Sequence, residues 1–179
     1  MGCEDKHGVT DISDIPEHRR RRPNLYIRTT TRVVEAPAQD LEVAEKYISW
    51  PDRGPLFDGK RLTILTAKRT FQVDEEVRVI HVFESTKPGE RVYVMGPKDV
   101  YGENVDGLLV TQQAPDGDQP WVPGFYDGMT VEAPAVDYNY EITSYRFQEP
   151  GIHRISWELG SLRSNVVEIE VVRRVGPQE

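Results

Sequence analysis

From residue 60 onward, apolar and polar residues follow one another with a period of two. That is the spacing at which a strand turns one side to a core and the other to water. The last third shows it most regularly. Tyr138, Tyr140 and Ile142 alternate with Asn139, Glu141 and Thr143. After Pro150-Gly151, His153, Ile155, Trp157 and Leu159 alternate with Arg154, Ser156 and Glu158; after Gly160-Ser161, Val167, Ile169 and Val171 alternate with Glu168 and Glu170. Upstream, Val77, Val79, His81 and Phe83 define one face of a strand over 76–84, with Arg78, Ile80, Val82 and Glu84 on the other. Segments 62–67, 92–95, 108–111 and 130–133 are shorter candidates, the last behind an Asp127-Gly128 turn. One wet face per strand is the antiparallel pattern. Seven or eight short strands with turns roughly every 8–12 residues predict an all-β fold, an antiparallel sandwich over 61–174.

The first sixty residues follow other rules. Residues 1–24 are polar, charged and unpatterned, and read as an Arg-rich tail. Residues 25–34 are β-branched and aromatic, which predicts an arm strand. Asp40 to Trp50 predicts a short helix near 41–49: Asp40 serves as N-cap, Leu41, Ala44, Tyr47 and Ile48 recur at helical spacing, and Pro51 stops it. Residues 25–60 thus form arm strand, helix and linker, and 175–179 a C-terminal tail.

Phe147 to Ile155, with its Pro150-Gly151 turn, followed by Ser164-Asn165-Val166-Val167-Glu168-Ile169-Glu170-Val171, resembles the closing strands of immunoglobulin-like domains. Phe71 to Val82 resembles the start of their second strand, where a turn glycine is usual and Asp74 stands here. The resemblance spans roughly 61–173. It implies an immunoglobulin-like sandwich and no particular ligand, since such folds host many unrelated roles.

Charge divides the chain further. The net charge is −8, yet 18–34 holds six arginines and no acid, which leaves −14 for the remainder. An acidic body argues against nucleic acid as its partner. The run Arg19, Arg20, Arg21, Arg22 has three readings: phosphate contacts, pairing with an acidic protein surface in a partner or a homo-oligomer, or an idle solvated tail. Hydrophobic residues amount to 37%, below the usual ~45–50% that also counts glycine, so the expected core is modest.

Cys3 is the single cysteine, so no internal disulfide and no cysteine-based metal site is expected. No apolar run is long enough to span a membrane, and no signal peptide precedes the start as written. Gly2-Cys3 resembles the junction at which a bacterial lipoprotein is cleaved and lipidated, which would make Cys3 a lipid anchor and its lipid the sole membrane contact. An acylated Met-Gly-Cys start is weakened by Lys6 in place of Ser or Thr. A native cytoplasmic start with an incidental cysteine is the alternative to extracytoplasmic anchoring.

Four groups are candidates for chemistry. His81 and His153 fall on apolar faces and would approach across the core if their strands face each other. A pH-responsive pair or a two-His metal site is the functional reading; two imidazoles bonded to backbone is the expected one, because zinc wants three or four ligands. Asp99, Glu103 and Asp106, with Asp116 and Asp118, are carboxylates near glycines such as a hard cation uses, but solvated loops are expected. The stretch 119–128 sets Trp121, Phe125 and Tyr126 among prolines and glycines. Stiffly held aromatics make contact anchors, so this loop, joined by Tyr101, is the best candidate binding surface, unless it folds back to cover the core. No nucleophile elbow, phosphate loop or metalloprotease motif occurs. The chain is therefore expected to be non-catalytic and without cofactor. It reads as a binding or accessory module, or alternatively as a structural assembly subunit whose basic arm engages a neighbour.

Overall fold

A computed structural model describes residues 23–94, 96–114 and 128–176. In chain order the elements are β1 (Tyr26–Arg28), β2 (Val33–Glu35), α1 (Ala38–Glu45) with a 3-10 turn (Lys46–Ser49), β3 (Lys60–Leu65), β4 (Thr70–Gln72) and β5 (Glu76–Ser85). There follow β6 (Arg91–Tyr93), β7 (Glu103–Val105), β8 (Leu108–Leu109), β9 (Thr130–Glu132), β10 (Ala135–Asp137), β11 (Thr143–Arg146), β12 (Gly151–Leu159), β13 (Leu162–Arg163) and β14 (Val167–Val172). The protein is predominantly β, with one short helix among the described residues.

β5 is the hub of the first sheet. β3 pairs with it from Lys60↔Ser85 to Leu65↔Ile80, β10 meets residues 83–85, and β11 meets 76–79. The second sheet runs β4-β14-β12-β7-β8, with β13 on the end of β12. Every pair is antiparallel except β4 with β14. β6 and β9 form a separate two-stranded ribbon. Leu62, Ile64, Val77, Val79 and Phe83 from the first sheet share one apolar cluster with Ile155, Trp157, Val167, Ile169 and Val171 from the second. The alternation of β12 and β14 is realised as written, with Val167, Ile169 and Val171 buried and Glu168 and Glu170 exposed.

The other face of β5 departs from a one-sided strand. Ile80 and Val82 join a second cluster with Leu25, Val43, Ala44, Tyr47, Val136, Tyr138 and Ile142. The segment 25–50 thus forms a layer over the first sheet, which is buried on both sides. Leu25 and Tyr47 are fully enclosed, and burying side chains of this size stabilises by roughly 1.5–3 kcal/mol each. Tyr47 donates its hydroxyl hydrogen bond to buried Glu84, which also lies 3.7 Å from Arg61.

Two local expectations are corrected. Asp40 does not cap the helix. Pro37 holds that place, and Asp40 lies in the first turn, buried against Arg78 at 3.1 Å. Tyr138, Tyr140 and Ile142 do not share a face: Tyr140 joins the inter-sheet cluster and the other two the outer one. The cause is a bulge, in which five residues, 138–142, stand against three of β5, 80–82. Asp74 adopts φ +64°, the left-handed conformation that glycine tolerates best. Its side chain and carbonyl take hydrogen bonds from Gln148 (2.8 Å) and Arg146 (2.7 Å).

Candidate functional site

β7 and β8 form a hairpin at one margin of the second sheet. The Asp106-Gly107 turn has positive φ at both residues, 51° and 79°, as a tight hairpin turn demands. Asp106 clamps that turn to β12. Its N–H donates to Arg154 O at 2.8 Å, its Oδ1 accepts from Arg154 N–H at 2.9 Å, and its Oδ2 lies 2.7 Å from His153 Nδ1. His153 Nε2 lies 2.8 Å from the Glu149 carbonyl. Both ring nitrogens therefore face acceptors, an arrangement that suits the imidazolium. Burial is the largest influence and lowers the His153 pKa, but the bonds to Asp106 and the Glu149 carbonyl, with the charges of both acids, together outweigh it and the net shift is upward. Burial likewise raises Asp106, and the bonds from His153 and Arg154 more than reverse this.

The outer strand of the hairpin is apolar and open. Leu108 is 71% exposed, with Leu109, Val110 and Met129 exposed by about half. Among the described residues no strand pairs with the outer side of β8. Past β8 the pairing continues through Val110 N–H to Glu103 O and Gly102 N–H to Gln112 O, both 2.9 Å. Gly102 (φ +74°) permits this crossing, because a Cβ there would stand 1.9 Å from Glu158 O. Tyr101 precedes it, half-buried against the core. Its carbonyl accepts from Trp157 Nε1 at 2.8 Å, and its hydroxyl points to Asp99.

Behind the hairpin lies a sealed polar cluster. Glu103 and His81 form an ion pair with no side-chain exposure on either partner. The other Glu103 oxygen accepts from the hydroxyls of Thr143 (2.5 Å) and Tyr145. Burial alone would raise Glu103. The His81 charge and the donated bonds overcome it and hold the carboxyl below its ordinary value, while burial and the Glu103 charge push Tyr145 up. The His81 ring meets Trp157 edge-on at 5.0 Å.

The two histidines therefore do not pair. His81 belongs to Glu103 and Trp157, and His153 belongs to Asp106, Glu149 and the Phe147 ring at 4.3 Å. Of the acids expected in solvated loops, Asp99 and Asp106 are about half exposed, whereas Glu103 is not exposed at all. Asp99 is tied to Arg28 at 2.9 Å, Glu103 is in the core, and Asp106 is in the clamp. Among the described residues no three His, Cys, Asp or Glu side chains are grouped to hold a metal. Arg28, the arm's described arginine nearest this end, also pairs with Glu141, so this part of the arm rests on the chain's own acidic surface. Of the expected binding residues, Tyr101 alone is described. Trp121, Phe125, Tyr126, Arg19, Arg20, Arg21, Arg22 and Cys3 lie outside the described residues, as do Asp116 and Asp118. Sequence reasoning passed over Leu108, Leu109 and Val110 as a surface. Their signal was three apolar residues in a row after an Asp-Gly turn, which period-two burial cannot all place inside.

Fold and site define a predominantly β protein of largely antiparallel sheets with an open apolar margin among the described residues. Comparison with family models, curated proteins and solved structures finds no match to the chain.

Proposed function

We propose that this chain is a non-catalytic binding or accessory module on an immunoglobulin-like sandwich, with the β8 margin, together with the aromatic-bearing stretch 116–128, as its contact surface for a protein partner. The observation that carries the reading is the open edge: Leu108, Leu109 and Val110 stand exposed on a terminal strand whose outer N–H and C=O groups meet no described strand. Such an edge is the natural receptor for an added strand. The sandwich assignment is supported by the order β4-β14-β12-β7-β8 facing β3-β5-β10/β11. It matches strands G, F and C facing A, B and E in immunoglobulin domains. A non-catalytic role is supported by the chemistry being spent internally. The His81–Glu103 cluster has no access to solvent, and in the cleft beside β4 Lys68 and Glu75 are bound to each other at 2.5 Å.

The same edge supports a second reading, self-association into an assembly. Residues 25–36 belong to the outer cluster, so a test of the basic tail must spare them and remove 1–22 only. Sedimentation of the full chain and of this truncation, each with and without Leu108→Lys/Val110→Lys, separates the readings. A monomer throughout favours a foreign partner, whereas an oligomer dispersed by the edge change favours assembly. Trp121→Ala/Phe125→Ala should abolish capture of an extended apolar peptide without moving the unfolding midpoint. Unaltered peptide binding by both double variants would sink the binding-edge proposal.

A further inference from the structure

Independently of the edge, a third polar cluster lies where residues 96–98 cross the segment leaving β10. Gly96 packs so tightly there that a Cβ would stand 2.2 Å from the Asn139 carbonyl oxygen. Lys98 forms a parallel bridge with Tyr140, its N–H donating to Asn139 O at 2.8 Å and its carbonyl accepting from Glu141 N–H at 2.9 Å. The Lys98 backbone is thereby fixed beside Asp137, and its side chain turns inward. Nζ donates to Tyr93 O at 2.6 Å, stands 4.5 Å from the centre of the Tyr140 ring, and contacts Asp137 Oδ2. The Lys98 side chain is 10% exposed and that of Asp137 not at all. The second carboxylate oxygen, Oδ1, accepts two N–H groups of Asn139, the backbone at 2.9 Å and Nδ2 at 2.8 Å.

We propose that Lys98 and Asp137 become joined by an amide bond between Nζ and Cγ, formed by the folded chain itself. The step balances without a co-reactant. The Nζ–Cγ bond forms, the Cγ–Oδ2 bond breaks, and Oδ1 stays as the amide oxygen. The ammonium supplies three hydrogens: one remains on the amide nitrogen and two leave with Oδ2 as water. Charge cancels before and after, and nothing is oxidised or reduced.

Three features of the site favour it. The fold holds amine and carboxyl in contact, which removes most of the entropy of encounter. The two Asn139 donors stand on the oxygen where negative charge gathers as Nζ attacks, the role of an oxyanion hole. Finally, a buried ion pair keeps its desolvation penalty, and a neutral amide relieves it. Attack uses the Nζ lone pair, so within the step the ammonium gives up protons to Oδ2, which departs with them as water. In a chain with one cysteine, such a link would do the work of a disulfide by tying the 96–100 segment to the strands that pair with β5.

Peptide mapping of the folded, full-length protein tests this. The expected result is a branched peptide joining the Lys98 and Asp137 segments, lighter than their sum by one water, about 18 Da, as for any such covalent condensation, and uncut after Lys98. Lys98→Arg, which keeps the positive charge but offers a far poorer nucleophile, should return two linear peptides at full mass. Linear Lys98 and Asp137 peptides from the unaltered protein would overturn the proposal. So would a loss of water confined to Asp137, the mark of a cyclic imide, or a branch that survives in Lys98→Arg.

Discussion

β7 begins with one carboxylate paired with a histidine and is followed directly by another, and the two pairs differ in their access to water. Glu103 and His81 have no exposed side-chain surface, whereas Asp106 is 44% exposed and His153 half-buried. In the dry pair, Glu103 gathers donors from β5 and β11 while standing on β7 of the opposite sheet. Its acceptor sites are largely spoken for, so the two sheets meet in one register there. In the wet pair, water reaches the Asp106 carboxylate and competes for it. The Asp106 clamp shapes a turn without locking the sandwich. Identical chemistry thus specifies the core at one end of a three-residue strand and trims the margin just past the other.

Removing the dry acid should have the largest effect. Glu103→Leu strands the His81 ring and the hydroxyls of Thr143 and Tyr145 without their acceptor, and breaking a buried pair in this way costs about 3–5 kcal/mol. Denaturant unfolding should show a midpoint far below that of the parent chain, and a change under about 1 kcal/mol would mean the pair is not structural. The acid limb sharpens the point. Glu103 is held below its ordinary pKa in the folded state, so its contribution is present above the unfolded value and lost as pH falls through the folded one. Acid titration of stability should therefore be flatter in Glu103→Leu than in the parent over that range.

Alternation predicted what depends on one strand at a time. β12 and β14 were legible because each turns one face inward and Glu168 and Glu170 mark the other. β5 was only half legible. Ile80 and Val82 fall on the face that alternation assigns to water, and what buries it is Leu25, Val43 and Tyr47, more than thirty residues upstream. Glu103 illustrates the same limit. An acid beside a glycine reads as loop until its partners are known, and they lie 22, 40 and 42 residues away. Asp40 was assigned to its own helix although its partner, Arg78, belongs to β5. Local pattern shows which faces are apolar, and long-range pairing decides which polar groups join them.

The wet pair should yield a smaller effect with the opposite pH signature. The His153 pKa is raised, so its contribution is complete below the unfolded value near 6.5 and fades as pH rises through the folded one. That of Asp106, whose pKa is lowered, is complete above its unfolded value and fades in stronger acid. The clamp is therefore firmest in mildly acidic solution. Asp106→Asn should cost only about 0.5–1 kcal/mol there, the range for a solvent-screened pair. It should also bring the His153 titration, followed by NMR, back toward 6.5. An unmoved His153 titration would break the contrast between the two pairs.

The smallest effect on folding is expected one turn further out, at Leu108. At 71% exposure it gives up little buried area when replaced, so Leu108→Lys should shift stability by less than about 0.5 kcal/mol, as surface changes usually do. A lysine on a terminal strand is nevertheless among the devices by which proteins prevent edge pairing. The variant should therefore lose strand addition while keeping its unfolding midpoint, a separation that Glu103→Leu cannot show. Loss of more than about 1 kcal/mol in Leu108→Lys would place this residue among the groups that hold the sandwich together, and the margin of β7–β8 would then be core rather than contact surface.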